Sequence, residues 1–246
     1  MLETQATNTN SNNIPTLSVV VLCYRAGESI IEFTNILQKE LNRFEPNWEL
    51  ILVGNYLIDS DDKTGEIITK LAEENKRIKP IIKPKEGMMG WDMRMGMNAA
   101  SGEYICVIDG DGQFPITSIE KAYLLIIDKK VDLVKTYREA RHDGIYRTFI
   151  SFWYNIFFRI LFPGLNSRDI NSKPKIITYK AFKQLRLKSN DWFADAEIML
   201  EVRRLQLSFE EFPVIFSQIT ERRSFVKVSA IVEFMRNLIT YRFRKN

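Results

Sequence analysis

The stretch Tyr104-Ile105-Cys106-Val107-Ile108-Asp109-Gly110-Asp111-Gly112-Gln113 decides how the rest of the chain is read. It opens with aromatic, apolar and β-branched residues, and two glycines interrupt it soon after, which favours a buried strand over a helix. The strand is expected to stop at Asp109. Gly110 is expected to turn the backbone sharply, so that Asp109 and Asp111 present carboxylate oxygens to one point at the carboxyl end of a sheet. Hard oxygen donors in that position suit Mg2+ or Mn2+, which keep several waters and take remaining ligands from a substrate phosphate. The competing reading is a plain surface turn, because Asp-Gly pairs are ordinary turn formers.

Upstream of this stretch, apolar runs alternate with amphipathic ones. Residues 17–24 (LSVVVLCY), 48–53 and 78–82 read as strands, while 29–43, 64–75 and 90–100 carry apolar residues at helical spacing. Such alternation implies βαβ crossovers and a mostly parallel, Rossmann-like sheet covered on both faces. Ligands of these sheets bind beyond the carboxyl ends of the strands, where Tyr24, Gly54 and Asp109 are expected to emerge. Downstream, 116–129 reads as a helix and 131–136 as a strand. The pattern then changes.

Residues 147–162 (RTFISFWYNIFFRILF) are aromatic and apolar on nearly every face. They fall short of the roughly 20 apolar residues that a membrane span needs. One reading makes them a core helix under the sheet; the other lays them on a bilayer, with Trp153, Tyr154 and the arginines at headgroup depth. A second basic and apolar segment, 231–244, favours the bilayer reading, although a solvated terminal helix fits it too. Between them come a polar loop leading into a strand (PKIITY), a short helix over 181–187, and an amphipathic helix over 192–206 with Asp195 and Glu197 near its start, where the helix dipole favours negative charge. Residues 209–216 read as a strand, and Pro213 inside it places that strand at a sheet edge.

The chain has 246 residues, 45% of them hydrophobic, with 35 basic and 31 acidic side chains and a net charge of +4. These values describe one globular α/β unit and exclude a disordered chain. The mild charge and the lack of a recognisable module give no reason to expect nucleic acid. Cys23 and Cys106 lie in apolar runs as small hydrophobes, which suits a reducing cytoplasm. Residues 1–15 read as a disordered leader, 16–230 as a single domain divided into a nucleotide-sugar half (16–136) and an acceptor half (137–230), and 231–246 as a basic amphipathic helix.

Taken together, the opening VVVLCY, the glycine-spaced GMMGWDMRMGMNAASGEY, the DGDGQ motif, the later FADAEIM, and EEFPVIF followed by ERRSFVKVS resemble family 2 glycosyltransferases of the A-type fold. Within that family they look most like the branch that makes dolichyl- or polyprenyl-phosphate mannose and glucose. The resemblance spans about residues 16–230. It implies a metal held by Asp109, Asp111 and Gln113, with Asp109 in the ribose and metal region. It implies that Tyr24 meets the nucleoside, and that Gly87, Gly90, Arg94 and Gly96 cover the diphosphate, with Arg94 as a bidentate phosphate donor. Asp195 and Glu197 match an acidic pair on the acceptor side, and Arg222, Arg223, Ser224 and Lys227 a basic segment that closes over phosphates. Two motifs depart from the family pattern. The first strand ends in Leu22-Cys23-Tyr24-Arg25-Ala26 instead of Pro-x-Tyr-Asn-Glu, and the second is followed by Gly54-Asn55-Tyr56 instead of Asp-Asp-Gly-Ser.

The implied reaction is transfer of a sugar from a nucleoside diphosphate donor, presumed by resemblance to invert configuration. If the acceptor is a polyprenyl phosphate, it is already an anion and needs no general base; if it is a saccharide hydroxyl, Asp195 or Glu197 must take its proton. Arg138, Arg141 and Arg147 are candidates to receive an anionic headgroup. The lipid reading places the protein peripherally on the cytoplasmic face of a membrane. A non-catalytic sugar-nucleotide or membrane-binding module is the third reading.

Overall fold

The computed structural model describes residues 14–58, 60–141, 156–217 and 228–243. Seven strands, β1 (Leu17–Leu22), β2 (Trp48–Val53), β3 (Ile78–Ile81), β4 (Tyr104–Asp109), β5 (Leu133–Arg141), β6 (Lys175–Thr178) and β7 (Phe209–Phe216), form one sheet in the order β3-β2-β1-β4-β6-β5-β7. The helices are α1 (Ser29–Phe44), α2 (Thr64–Glu74), α3 (Met89–Ala99), α4 (Thr117–Lys129), α5 (156–161), α6 (Tyr179–Phe182), α7 (Ala194–Arg204) and α8 (Val228–Phe243).

The first four strands run parallel, as their apolar runs and intervening helices imply. Their side chains alternate between two cores. Val19, Val21, Leu50, Leu52, Cys106 and Ile108 face α1, α2 and α4, whereas Val20, Ile51, Val53, Ile105 and Val107 face the other helical layer, which contains Met93 and Met97 of α3 and Ile198, Met199 and Val202 of α7. Burial on both faces explains why these strands read as continuous hydrophobic runs. β6 runs antiparallel to both neighbours, β4 and β5, and so is the one reversed strand of the sheet. β7 pairs with β5 alone and lies at the sheet edge, in agreement with Pro213.

The register brings the ends of β1, β2 and β4 together. Leu22 lies opposite both Val53 and Asp109, so Tyr24, Gly54 and Asp109 leave the sheet at the same end. The turn after β4 differs in detail from expectation. Gly112, not Gly110, takes the left-handed conformation (φ +72°), and Gly110 instead sits where a Cβ would come within 3.0 Å of Ile30 and Val21. Glycine at 110 thus serves close packing, and glycine at 112 makes the turn.

Of the aromatic segment 147–162, residues 147–155 lie outside the described part. In the remainder, Phe158 and Phe162 are buried in the α7-side core, while Ile160 is exposed. The segment's described end therefore contributes to the core. α8 docks through buried Leu238 and through the Tyr241 hydroxyl, which donates to Glu201 at 2.8 Å. Among the described residues no helix is long and apolar enough to cross a membrane.

Cys23 and Cys106 are fully buried, and burial pushes both thiols well above their ordinary pKa. Native protein at pH 8 should therefore leave both thiols unreactive toward a disulfide reagent, with two equivalents released on denaturation. Gly96 lies against the sheet, where an added Cβ would sit 2.3 Å from Val20 Cγ1 and 2.9 Å from Val53 Cγ2. Gly96→Ala gains about 1 kcal/mol of helix propensity but overpacks two fully buried side chains, a cost of roughly 1–3 kcal/mol or more at such contacts. Overpacking should win, and the melting temperature should fall.

Candidate active site

The site begins at the carboxyl end of β4. Asp109 and Asp111 are both half-buried; the backbone N–H of Gln113 donates to Asp111 Oδ1 at 3.1 Å, and the Gln113 side-chain amide donates to the Ser217 carbonyl at 3.1 Å. Gln113 thus ties the motif to the end of β7, with its Oε1 as the oxygen it can offer an ion. Among the described residues, no third His, Cys, Asp or Glu joins the two carboxylates into a complete metal cage. Two hard oxygen donors with positions left over for phosphate and water are a donor set that fits Mg2+ or Mn2+.

A cation already stands at Asp109. Lys173 Nζ lies 3.1 Å from Asp109 Oδ1 and 3.1 Å from Asp195 Oδ2, and its side chain is 3% exposed. Lys175, the first residue of β6, donates to Asp195 Oδ1 at 2.5 Å and to the Ser172 carbonyl at 2.8 Å. Lys173 lies in a bend ahead of β6 and is joined to Pro174 by a cis peptide, while Lys175 opens the strand; both ammonium groups reach the same carboxylate of α7. Burial alone would raise the Asp195 carboxyl; the two lysines overcome it and hold its pKa below the ordinary value. Burial lowers Lys175 to about 8, whereas Asp109 and Asp195 overcome burial at Lys173 and raise it. Lys135, opposite Lys175 in the β5–β6 register, is buried as well and binds the Asp169 carbonyl at 2.6 Å and Glu211 at 3.2 Å. Arg138 grips Asp169 through two hydrogen bonds of 2.6 and 2.8 Å, so the guanidinium considered for an acceptor headgroup is engaged within the protein.

Glu197 does different work from Asp195. Its carboxylate accepts the backbone N–H groups of Lys188 (2.9 Å) and Ser189 (2.8 Å), and burial outweighs these bonds to raise its pKa. It thereby shapes the loop 188–191, which closes over the start of α3. The Met88 and Gly90 N–H groups donate to the carbonyls of Asn190 and Asp191 at 2.6 and 2.9 Å. Arg94 donates to the Lys188 carbonyl at 2.7 Å and to Asn190 Oδ1 at 2.8 Å. A Cβ on Gly87 would come within 2.6 Å of the Asn190 carbonyl, and one on Gly90 within 2.5 Å of the Asp191 carbonyl. The glycine spacing therefore does allow close approach, but what approaches Gly87 and Gly90 is this loop, and what approaches Gly96 is the sheet. Asp191 is tied onward to α8 by Asn237, at 2.5 Å.

At the end of β2, Asn55 has both ends of its amide engaged, donating to Asp92 Oδ1 at 2.8 Å and accepting the Lys83 N–H at 2.8 Å. Lys85 pairs with Asp92 and lies 4.3 Å from the centre of the Tyr24 ring. Tyr24, Asn55, Lys85 and Asp92 thus form one cluster beside the nucleoside position that the sequence assigns to Tyr24. Arg222, Arg223, Ser224 and Lys227 lie outside the described residues, as does Arg147. Sequence reasoning missed Lys135, Lys173, Lys175, Lys85 and Asp92. The available signal was Lys173-Pro174-Lys175 running directly into the apolar 176–177, which puts charge on the face of a buried strand.

Comparison with known proteins agrees with this architecture. The family model described as glycosyl transferase family 2 matches residues 18–185. A dolichyl-phosphate beta-glucosyltransferase of Trichomonas vaginalis is 25% identical over 241 residues, covering 91% of this chain and 72% of the relative. An undecaprenyl-phosphate 4-deoxy-4-formamido-L-arabinose transferase of Proteus mirabilis is 29% identical over 133 residues, covering 53% of this chain and 39% of the relative. Among solved structures, glucosyl-3-phosphoglycerate synthase from Mycobacterium tuberculosis, in complex with Mn2+, uridine diphosphate and phosphoglyceric acid, superposes with a TM-score of 0.69 at 16% identity, covering 93% of this chain and 78% of that one. Sheet order, the double carboxylate at the end of β4 and the family match converge: the chain belongs to family 2 of the glycosyltransferases and has their A-type α/β fold.

Proposed function

We propose that the protein transfers a sugar from a nucleoside diphosphate sugar to a polyprenyl phosphate at a membrane surface, with Mg2+ or Mn2+ held by Asp109 and Asp111. One observation carries the choice of acceptor: both acids expected to serve a hydroxyl acceptor are buried and engaged. Asp195 is bound by two ammonium groups and Glu197 by two backbone N–H groups. A hydroxyl needs a base to take its proton, whereas a phosphate acceptor arrives ionised. The names of the Trichomonas and Proteus relatives support the same acceptor class. Exposed Ile160 on α5 and Phe243 on α8 support peripheral contact with a bilayer, for which we infer the cytoplasmic face.

The chemistry follows from what leaves. As the bond between the sugar and the diphosphate breaks, negative charge builds on the departing diphosphate, and a divalent ion, when bound, would supply the charge that neutralises it. Asp109 and Asp111 would hold that ion, and Gln113 fixes Asp111 through its backbone N–H. Tyr24 offers its ring to the nucleoside, and Arg222, Arg223, Ser224 and Lys227 are the segment we assign to closing over the phosphates. Asp195 and Glu197 act by holding Lys173 and the 188–191 loop in place.

The test is a panel of nucleoside diphosphate sugars, with and without Mn2+, offered a short polyprenyl phosphate or the matching polyprenol. Turnover should require the phosphate and the metal, and Asp111→Asn should lower it by roughly 100-fold or more. Turnover of the polyprenol or of a free saccharide would overturn the acceptor assignment. Glu197→Gln should stay within about tenfold of the unmodified rate, because its role is to hold backbone and not to take a proton. Glu197→Ala leaves two N–H groups without their acceptor at roughly 1–3 kcal/mol each, and should lower the melting temperature by several degrees. A folded Glu197→Gln protein without turnover would assign Glu197 as the base and favour a hydroxyl acceptor.

A further inference from the structure

Arg94 is held by one nitrogen only. Its Nη1 donates to the Lys188 carbonyl and to Asn190 Oδ1, at 2.7 and 2.8 Å, which takes both N–H groups of that nitrogen. Among the described residues nothing engages Nε or Nη2, so the edge of the guanidinium that grips an oxyanion through two parallel hydrogen bonds is open and already oriented. Met89, at the start of α3, is the side chain of that helix that meets Lys173. Arg94 comes five residues later, about 140° further round the helix and about 7.5 Å along it, away from the end of β4.

There Arg94 borders a cleft of about 140 Å3, whose other walls are Asn98, Phe182, Lys183, Leu185 and Leu187. Two cations and an amide thus meet three apolar side chains. The volume is below the roughly 300–1,000 Å3 that encloses a drug-sized ligand, and suits one headgroup-sized anion with a short apolar body. The surrounding surface has the same sign. From Tyr179 to Asn190 the chain carries Lys180, Lys183, Arg186 and Lys188, all exposed, and no acid. Among the described residues no carboxylate forms an ion pair with any of these four or with Arg94.

We propose that this cleft is a second ligand site, apart from the Asp109–Asp111 pair, that takes a phosphate monoester. Arg94 Nε and Nη2 grip two phosphate oxygens, Lys183 meets the remaining charge, and Phe182, Leu185 and Leu187 receive the apolar group on the ester oxygen. A carboxylate would satisfy Arg94 alone; a phosphate has the third oxygen and the second charge that Asn98 and Lys183 can use. The inference does not depend on the sugar-transfer reading. A soluble ester and a lipid headgroup offer the same chemistry, and the experiment separates them.

The full chain is titrated calorimetrically, without divalent metal, with phenyl phosphate and with inorganic phosphate, and is sedimented with phosphatidylcholine vesicles that do or do not contain phosphatidic acid. The variants are Arg94→Gln, Lys183→Gln and Arg186→Gln. Phenyl phosphate should bind saturably and several-fold more tightly than inorganic phosphate, because its ring meets the apolar wall. Arg94→Gln should weaken binding roughly tenfold or more, and Lys183→Gln about threefold. Arg186 carries charge beside the cleft without lining it, so Arg186→Gln should change binding by less than about twofold. The exposed Lys183 side chain makes no hydrogen bond among the described residues, so Lys183→Gln keeps the test open if Arg94→Gln loosens its loop. Binding of phenyl phosphate alone assigns a soluble ester; sedimentation with phosphatidic acid vesicles that is lost in Arg94→Gln assigns a lipid headgroup. Failure of both probes, binding that survives Arg94→Gln and Lys183→Gln, or an equal loss in Arg186→Gln overturns the inference.

Discussion

Ammonium groups leave water only for a partner, and three of them do so here on one face of one sheet. Lys135, Lys173 and Lys175 are all buried, and the middle of the sheet depends on the acids and carbonyls that meet them. Asp195 is the centre of that arrangement. It belongs to α7, yet it fixes the reversed strand β6 and, through Lys173, the carboxylate at the end of β4. The strand that closes the gap between β4 and β5 is therefore placed by ion pairs as well as by its backbone ladder. Breaking one member of such a pair costs about 3–5 kcal/mol, more than most apolar contacts in the same region contribute singly. The fold and the candidate site at the end of β4 thus share one electrostatic support.

The first half of the chain is the legible half. Its strands are buried on both faces and bounded by abrupt turns, so each appears as a short apolar run with unambiguous ends; 48–53 was read to the residue. Its helices bury one stripe and expose the other, which is the pattern that periodicity detects. The second half obeys other rules. β6 is four residues long, begins with a lysine and owes its position to strand neighbours 40 to 74 residues away, none of which a local pattern contains. A lysine read alone means solvent; its burial becomes intelligible only once Asp195, twenty residues downstream, is known to lie beneath it.

The candidate site shows the same division. Asp109 and Asp111 are legible as candidates because their chemistry and their local geometry coincide: a strand end, a turn and two hard donors within three residues. The glycines at 87, 90 and 96 are places of close approach, as the spacing implies, and protein atoms already come near each of them. Backbone from 188–191 and the Val20 and Val53 side chains come near, and sequence spacing cannot tell a phosphate from a carbonyl. Likewise Asp195 and Glu197 lie two residues apart in sequence and look like one acidic pair, while on the helix they point to different surroundings, one balancing lysines and the other holding the backbone of a loop.

Both outer strands of the sheet carry a proline, Pro80 in β3 and Pro213 in β7. A proline has no N–H to offer an incoming strand, so each open edge has a gap in the ladder that a second chain would need for pairing. The sheet is consequently poor at growing by edge addition, the route by which open β-sheets aggregate or swap strands.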